Sequence, residues 1–153
     1  MKLSEILSPD KIIPNLSVDD KDKSIAALLE LFKNDSRIID LVNVKNSVLE
    51  REKIMSTGVG HGFAIPHGKT NAVNEIIAAF AKTTEPLEFD SLDGQPVRLI
   101  FLLVGKENSV SVHIKLLSRI SRMMNNEEFR NKLLAADSSE EIYDLFKKEE
   151  ANI

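Results

Sequence analysis

The chain of 153 residues has no cysteine. That excludes a disulfide framework, a thiolate metal site and a cysteine nucleophile. It also fits the reducing conditions of the cytoplasm. No long hydrophobic run is present. The longest, Leu99 to Val104, is far too short to span a bilayer. The opening stretch MKLSEILSPDKIIPN lacks the sustained apolar segment of a secretory signal. Positive charge is not in excess: 20 Lys and Arg against 24 Asp and Glu give a net charge of −4. A broad nucleic-acid footprint needs clustered positive charge, so no nucleic-acid partner is expected. No repeat, low-complexity linker or compositional break marks a boundary. Residues 1–153 are therefore expected to form one cytoplasmic domain with no direct membrane insertion.

Glycine and histidine are also scarce, at 6 and 3 residues. Yet four of those glycines and two of those histidines fall in one window, STGVGHGFAIPHGKT, from Ser56 to Thr70. Around this window the periodicities predict a helix on Ile25, Leu28, Leu29 and Phe32, with Asp19 and Asp20 at its start. A second helix is expected from about Val44 to Glu52, with Arg51 at its C-terminal end. Phe63-Ala64-Ile65 reads as a short strand stopped by Pro66. Ile76 to Lys82 and Val97 to Val104 read as buried strands. Glu85-Pro86 and Asp93-Gly94 are turn signals between them. The C-terminal third is helical, with a stripe at Leu116, Leu117, Ile120 and Met124, a further turn or two at Phe129, Leu133 and Leu134, and Ser138-Ser139-Glu140-Glu141 in the form of a capping box. Helices on each side of buried strands imply an α/β layer fold. The strand order is not readable from this pattern.

The glycines at 58, 60, 62 and 68 permit close backbone approach to a ligand, and exposed loop amides can bind phosphate. They equally suit a tight connection. The window is not a Walker A loop, because Phe63 stands where the first glycine is needed. It is not a dinucleotide fingerprint either, because a strand rather than a helix follows. His67 lies after Pro66 beside a flexible loop, and a histidine there can act as a nucleophile or be an ordinary surface residue. His113 precedes Leu116, Leu117 and Ile120 by three, four and seven residues, which puts it on the apolar side of the first turn of its helix. It is either a core histidine or a second imidazole aimed at His67. Arg51 is either a solvated helix end or a fixed charge for an anion. His61, His67 and His113 together allow a different reading, a three-histidine zinc hydrolase.

The Ser56–Lys69 window, with its Ala64-Ile65-Pro66-His67-Gly68 core, resembles the signature of the fructose/mannitol/nitrogen-type enzyme IIA domains of the bacterial phosphotransferase system. Arg51-Glu52 before the loop, Leu87 to Val97, and Val112-His113-Ile114-Lys115-Leu116-Leu117 are similar to further segments of that family, so the likeness covers nearly the whole chain. The resemblance implies a mixed β-sheet flanked by helices and a phosphocarrier activity. It implies that His67 is phosphorylated by the carrier HPr or a nitrogen-branch counterpart, and that His113 and Arg51 hold the phosphoryl oxygens. Loop contacts are expected from Thr57, Gly58, Gly60, His61, Gly62 and Gly68, and docking from an apolar rim that includes Phe63. No cofactor or metal is implied. The downstream partner would be an enzyme IIB or a regulated protein. Because the chain ends about where such a domain ends, the expectation leans to the nitrogen-regulatory type over sugar transport. Two positions depart from the family pattern, His61 in the loop and Gly105-Lys106 after the apolar strand.

Overall fold

The computed structural model describes residues 1–153. A one-turn helix α1 (Leu3–Ile6) leads through a 3-10 turn into strand β1 (Ile12–Leu16). Helices α2 (Lys21–Glu30) and α3 (Leu41–Ile54) follow, then β2 (Gly58–Gly60), β3 (Phe63–Ala64), β4 (His67–Lys69), β5 (Ile77–Leu87) and β6 (Val97–Gly105). Helices α4 (Val110–Met124), α5 (Glu127–Ala135) and α6 (Ser139–Ala151) close the chain.

The caps explain where several helices start. Asp20 accepts from the amide of Lys23, and Asp40 from that of Asn43. Ser138 accepts from the amide of Glu141, as the expected box requires. The reciprocal half of that box differs, since the Glu141 carboxylate accepts from the amide of Asp137 instead of Ser138.

The strand order is β1-β5-β6-β3-β2, with β4 also on β6. The β5–β6 and β2–β3 pairs are antiparallel, and β1–β5, β3–β6 and β4–β6 are parallel. Mixed pairing with helices on both faces matches the expected architecture. Successive residues of the central strands feed opposite cores, as period-two geometry dictates. Leu99, Phe101 and Leu103 join α1, α4, α5 and α6 in one core. Ile100, Leu102 and Val104 join α2 and α3 in the other. The first core is aromatic. Phe146 meets Phe80, Phe101 and Phe129 at ring distances of 5.0, 5.5 and 5.3 Å. Edge contacts of this kind add roughly 0.5–1.5 kcal/mol per pair beyond area burial.

Two expectations are corrected. Glu85-Pro86 is not a turn, because β5 runs on through both residues to Leu87. The outer part of β5 is exposed, so Pro86 sits where a missing amide is tolerated. As expected, the short strand stops before Pro66, with β3 ending at Ala64, and beyond the proline a separate strand, β4, begins at His67. The Pro66 carbonyl accepts from the Leu103 amide, which keeps the ladder to β6 intact across the break. Phe63 is no rim residue, since it is buried in the aromatic core.

Candidate functional site

Strands β3 and β4 lie end to end along one edge of β6. Phe63 is opposite Leu99, and His67 is opposite Leu103. His67 has the parity of Phe63 and Ile65, so its side chain emerges on the face covered by α4. On α4, His113 is the buried residue one turn in from the start. The two imidazoles meet with centroids 5.5 Å apart and planes tilted by 54°. Gly105 leaves room for the His113 ring against the strand. A Cβ built on Gly105 would lie 3.0 Å from Nδ1 of His113, so glycine admits the ring. The other side of the strand is as tight. A Cβ on Gly68 would lie 2.9 Å from Ser47 Oγ and 3.2 Å from the Val48 nitrogen, so α3 can press directly on β4. That contact brings Arg51, in the last turn of α3, to the same place.

The result is an open cleft of about 490 Å³ whose lining includes Arg51, Ile54, His67, Lys69, His113 and Ile114. Nδ1 of His67 lies 2.8 Å from the carbonyl oxygen of Ile65. A carbonyl can only accept, so Nδ1 carries the proton and Nε2 the lone pair. Burial pushes the His67 pKa down; the Ile65 bond opposes this and the Arg51 charge adds to it. His113 is pushed further, to about 4, by burial first and then by the charges of His67 and Lys69. It is therefore neutral at physiological pH. Neither of its buried ring nitrogens has a hydrogen-bond partner. An orphaned imidazole at the floor of a cleft is a donor awaiting an acceptor. Arg51 donates one bond, 2.9 Å to the carbonyl of Met55, which holds it at the rim.

The structure thus brings together His67, His113, Arg51 and Gly68. It does not bring in Thr57, Gly58, Gly60, His61 or Gly62, none of which lines the cleft. His61 and Gly62 are the two turn residues of the β2–β3 hairpin, with φ of 57° and 78°. The His61 amide donates to Asp93. Gly58 faces Ser91 and Gly60 faces Asp93, so these glycines let the hairpin pack on the loop after β5. Between Leu99 and Leu103 alone, β6 spans roughly 13 Å, so His61 lies well away from the other two histidines. No group of three or more His, Cys, Asp or Glu side chains is placed to hold a metal ion. The three-histidine zinc site is therefore not formed.

Thr57 has another use. Its amide and hydroxyl donate to Glu52 at 2.8 and 2.6 Å. Lys21 pairs with the same buried carboxylate at 3.0 Å. Glu52 so fastens the end of α3 to α2 and to the start of β2. Sequence reasoning missed Lys69 and the exposed rim residues Ile54 and Ile114. Lys69 is two residues from His67 on β4 and shares its face, a relation that shows only once these residues are placed on a strand.

The whole arrangement, an imidazole with a free Nε2 beside an unpaired neutral imidazole and two cations, is suited to receiving a small anionic group. The family model described as "Phosphoenolpyruvate-dependent sugar phosphotransferase system, EIIA 2" matches residues 5–149. The chain belongs to that family of phosphotransfer components. It is 36% identical to a nitrogen regulatory protein of Bradyrhizobium diazoefficiens, covering 95% of this chain and 94% of that one. It is 37% identical to a fructose-specific EIIA component of Haloferax volcanii, covering 82% and 81%. Among solved structures, the nitrogen regulatory protein IIA-Ntr from Neisseria meningitidis superposes with a TM-score of 0.88 at 33% identity, covering 94% of this chain and 98% of that one. IIA mannitol from Escherichia coli, at 20% identity and a TM-score of 0.77 over 91% of this chain and 97% of that one, shares the fold. No helix is long and apolar enough to cross a membrane.

Proposed function

We propose that the protein is a phosphocarrier that accepts a phosphoryl group on Nε2 of His67 from an HPr-type phosphohistidine protein and acts as a nitrogen-regulatory-type IIA protein. The observation that carries this reading is the Nδ1 bond to Ile65, which leaves Nε2 as the nucleophile beside the unpartnered His113. The lone pair of Nε2 attacks phosphorus. The N–P bond of the donor breaks as the new N–P bond forms, and its electron pair returns to the donor's imidazole. Nδ1 keeps its proton throughout, and the Ile65 carbonyl accepts it more strongly as the ring gains positive character. Positioning and charge stabilisation carry most of such a transfer. His113, kept neutral, donates one N–H to a phosphoryl oxygen, while Arg51 and Lys69 offset its negative charge.

The nitrogen-regulatory reading is supported by relatives matched over nearly their full length under that name. A sugar-transport role, passing the group to an enzyme IIB, is favoured by the fructose-specific relative of comparable identity. The test is intact mass after incubation with enzyme I, HPr and phosphoenolpyruvate. A phosphate-sized, acid-labile gain is expected in the unmutated protein and none in His67→Ala. Labelling of that variant would overturn the assignment. Chase of the loaded protein with a fructose-type IIB separates the two roles, since rapid, complete transfer is the transport outcome.

A further inference from the structure

The cleft is not the end of the recessed surface on this side. Ile114 also lines a second groove, of about 370 Å³, with Lys115, Ser118, Arg119, Arg122 and Ile153. Lys115, Arg119 and Arg122 follow at intervals of four and three, so one face of α4 carries all three cations. In a chain of net charge −4 this is a local reversal of sign. Only Arg119 has a carboxylate partner, Glu150 at 3.3 Å. Lys115 and Arg122 are exposed and form no ion pair. Ile114, 59% exposed, stands between this groove and the cleft.

We infer that the α4 groove is a docking surface for an acidic protein segment that carries an aliphatic residue for Ile114 and carboxylates for Lys115, Arg119 and Arg122. Charge complementarity selects the class. Three cations around an apolar centre match a short acidic peptide. The overall negative charge disfavours long-range attraction of nucleic acid or an anionic bilayer. Continuity through Ile114 couples the groove to the nucleophile. Negative charge placed at His67 repels an acidic segment seated alongside, so occupancy falls when the cleft is loaded. That coupling rests on the phosphocarrier reading; the docking itself does not.

The test uses a capped octapeptide of six glutamates around two leucines, followed by amide chemical shifts of the labelled protein. Saturable shifts centred on residues 114–122 are expected. The double variant Lys115→Glu/Arg122→Glu should keep its thermal melt and bind at least about fivefold more weakly, and added salt should weaken the unmutated protein likewise. His67→Asp, which places charge in the cleft without any transfer, should weaken binding by about twofold or more. Equal binding of the lysine counterpart, tighter binding of duplex DNA or anionic vesicles, or shifts unaffected by the double variant would each overturn the proposal. Failure of the protein to accept phosphate would leave these outcomes readable, because none of them needs a phosphoryl donor.

Discussion

The two halves of the glycine-rich window look alike in sequence and do different work. From Gly58 to Ala64 the backbone contacts are made with neighbouring loops and the core. The His61 amide goes to Asp93, the Gly58 amide to Ser56, and Phe63 into the core. From Ile65 to Lys69 the chain resumes a strand on the edge of β6 and presents His67 to an open cleft. The first half closes a hairpin; the second presents an imidazole to the cleft. Glycine density marks a close approach of backbone in both halves, and it does not say whether the neighbour is protein or ligand.

The hairpin half depends most on Glu52, which fastens its start to α2 and α3. Glu52→Ala leaves two Thr57 donors without their acceptor and the Lys21 ammonium on the longer contact to the Phe89 carbonyl, and should lower stability by about 3–5 kcal/mol, read by denaturant unfolding. On the other half, His113→Ala removes one donor and should reduce the rate of phosphoryl acceptance or the lifetime of the phosphorylated form by roughly 10–100-fold, a mild case of losing a transition-state hydrogen bond. Unchanged kinetics would mark His113 as a core residue only. Its titration has a definite sign. The folded pKa of about 4 lies below the ordinary 6.5, so the unfolded chain takes up the proton first. The contribution is full above pH 6.5 and is lost as pH falls from there toward 4. His113→Phe should flatten the fall of the melting temperature between pH 6.5 and 5, before most carboxylates titrate.

A smaller effect is expected at Gly58, where a Cβ would crowd both the side chain and the Cα of Ser91. Gly58→Ala should destabilise by about 1–3 kcal/mol through overpacking while leaving phosphoryl acceptance near that of the unmutated protein. The smallest belongs to His61. Replacing this exposed turn residue by Asn, which tolerates the left-handed region, should change stability by less than about 0.5 kcal/mol and leave the labelling rate unaltered. A large loss of labelling in His61→Asn would join the two halves into one site.

What could be read beforehand follows from range. The α2 to α3 stripe, the buried β5 and β6, and the capped α6 depend on local periodicity, and they were legible. β1 was not, because Ile12-Ile13-Pro14-Asn15-Leu16 has a proline inside it; as an edge strand it needs no amide there on its outer side. β2 and β4 have three residues each and exist only through pairing with distant partners. The meeting of His67 and His113 was readable as a possibility of facing, but the tolerance that permits it comes from Gly105, whose role appears only when the ring is packed against it. The cation Lys69 was hidden because Pro66 and Gly68 give its stretch the composition of a loop, where alternation has no meaning. As part of β4 its place beside His67 follows directly.

The bond from His67 to the Ile65 carbonyl reaches beyond the choice of nitrogen. An imidazole free to spin about its side-chain bonds and to shuttle its proton would have to be caught in one arrangement at every encounter. Here the carbonyl, two residues back in the chain, holds both the ring's tilt and its tautomer before any partner arrives. The orientational entropy is surrendered once, when the chain folds, and not again at each cycle.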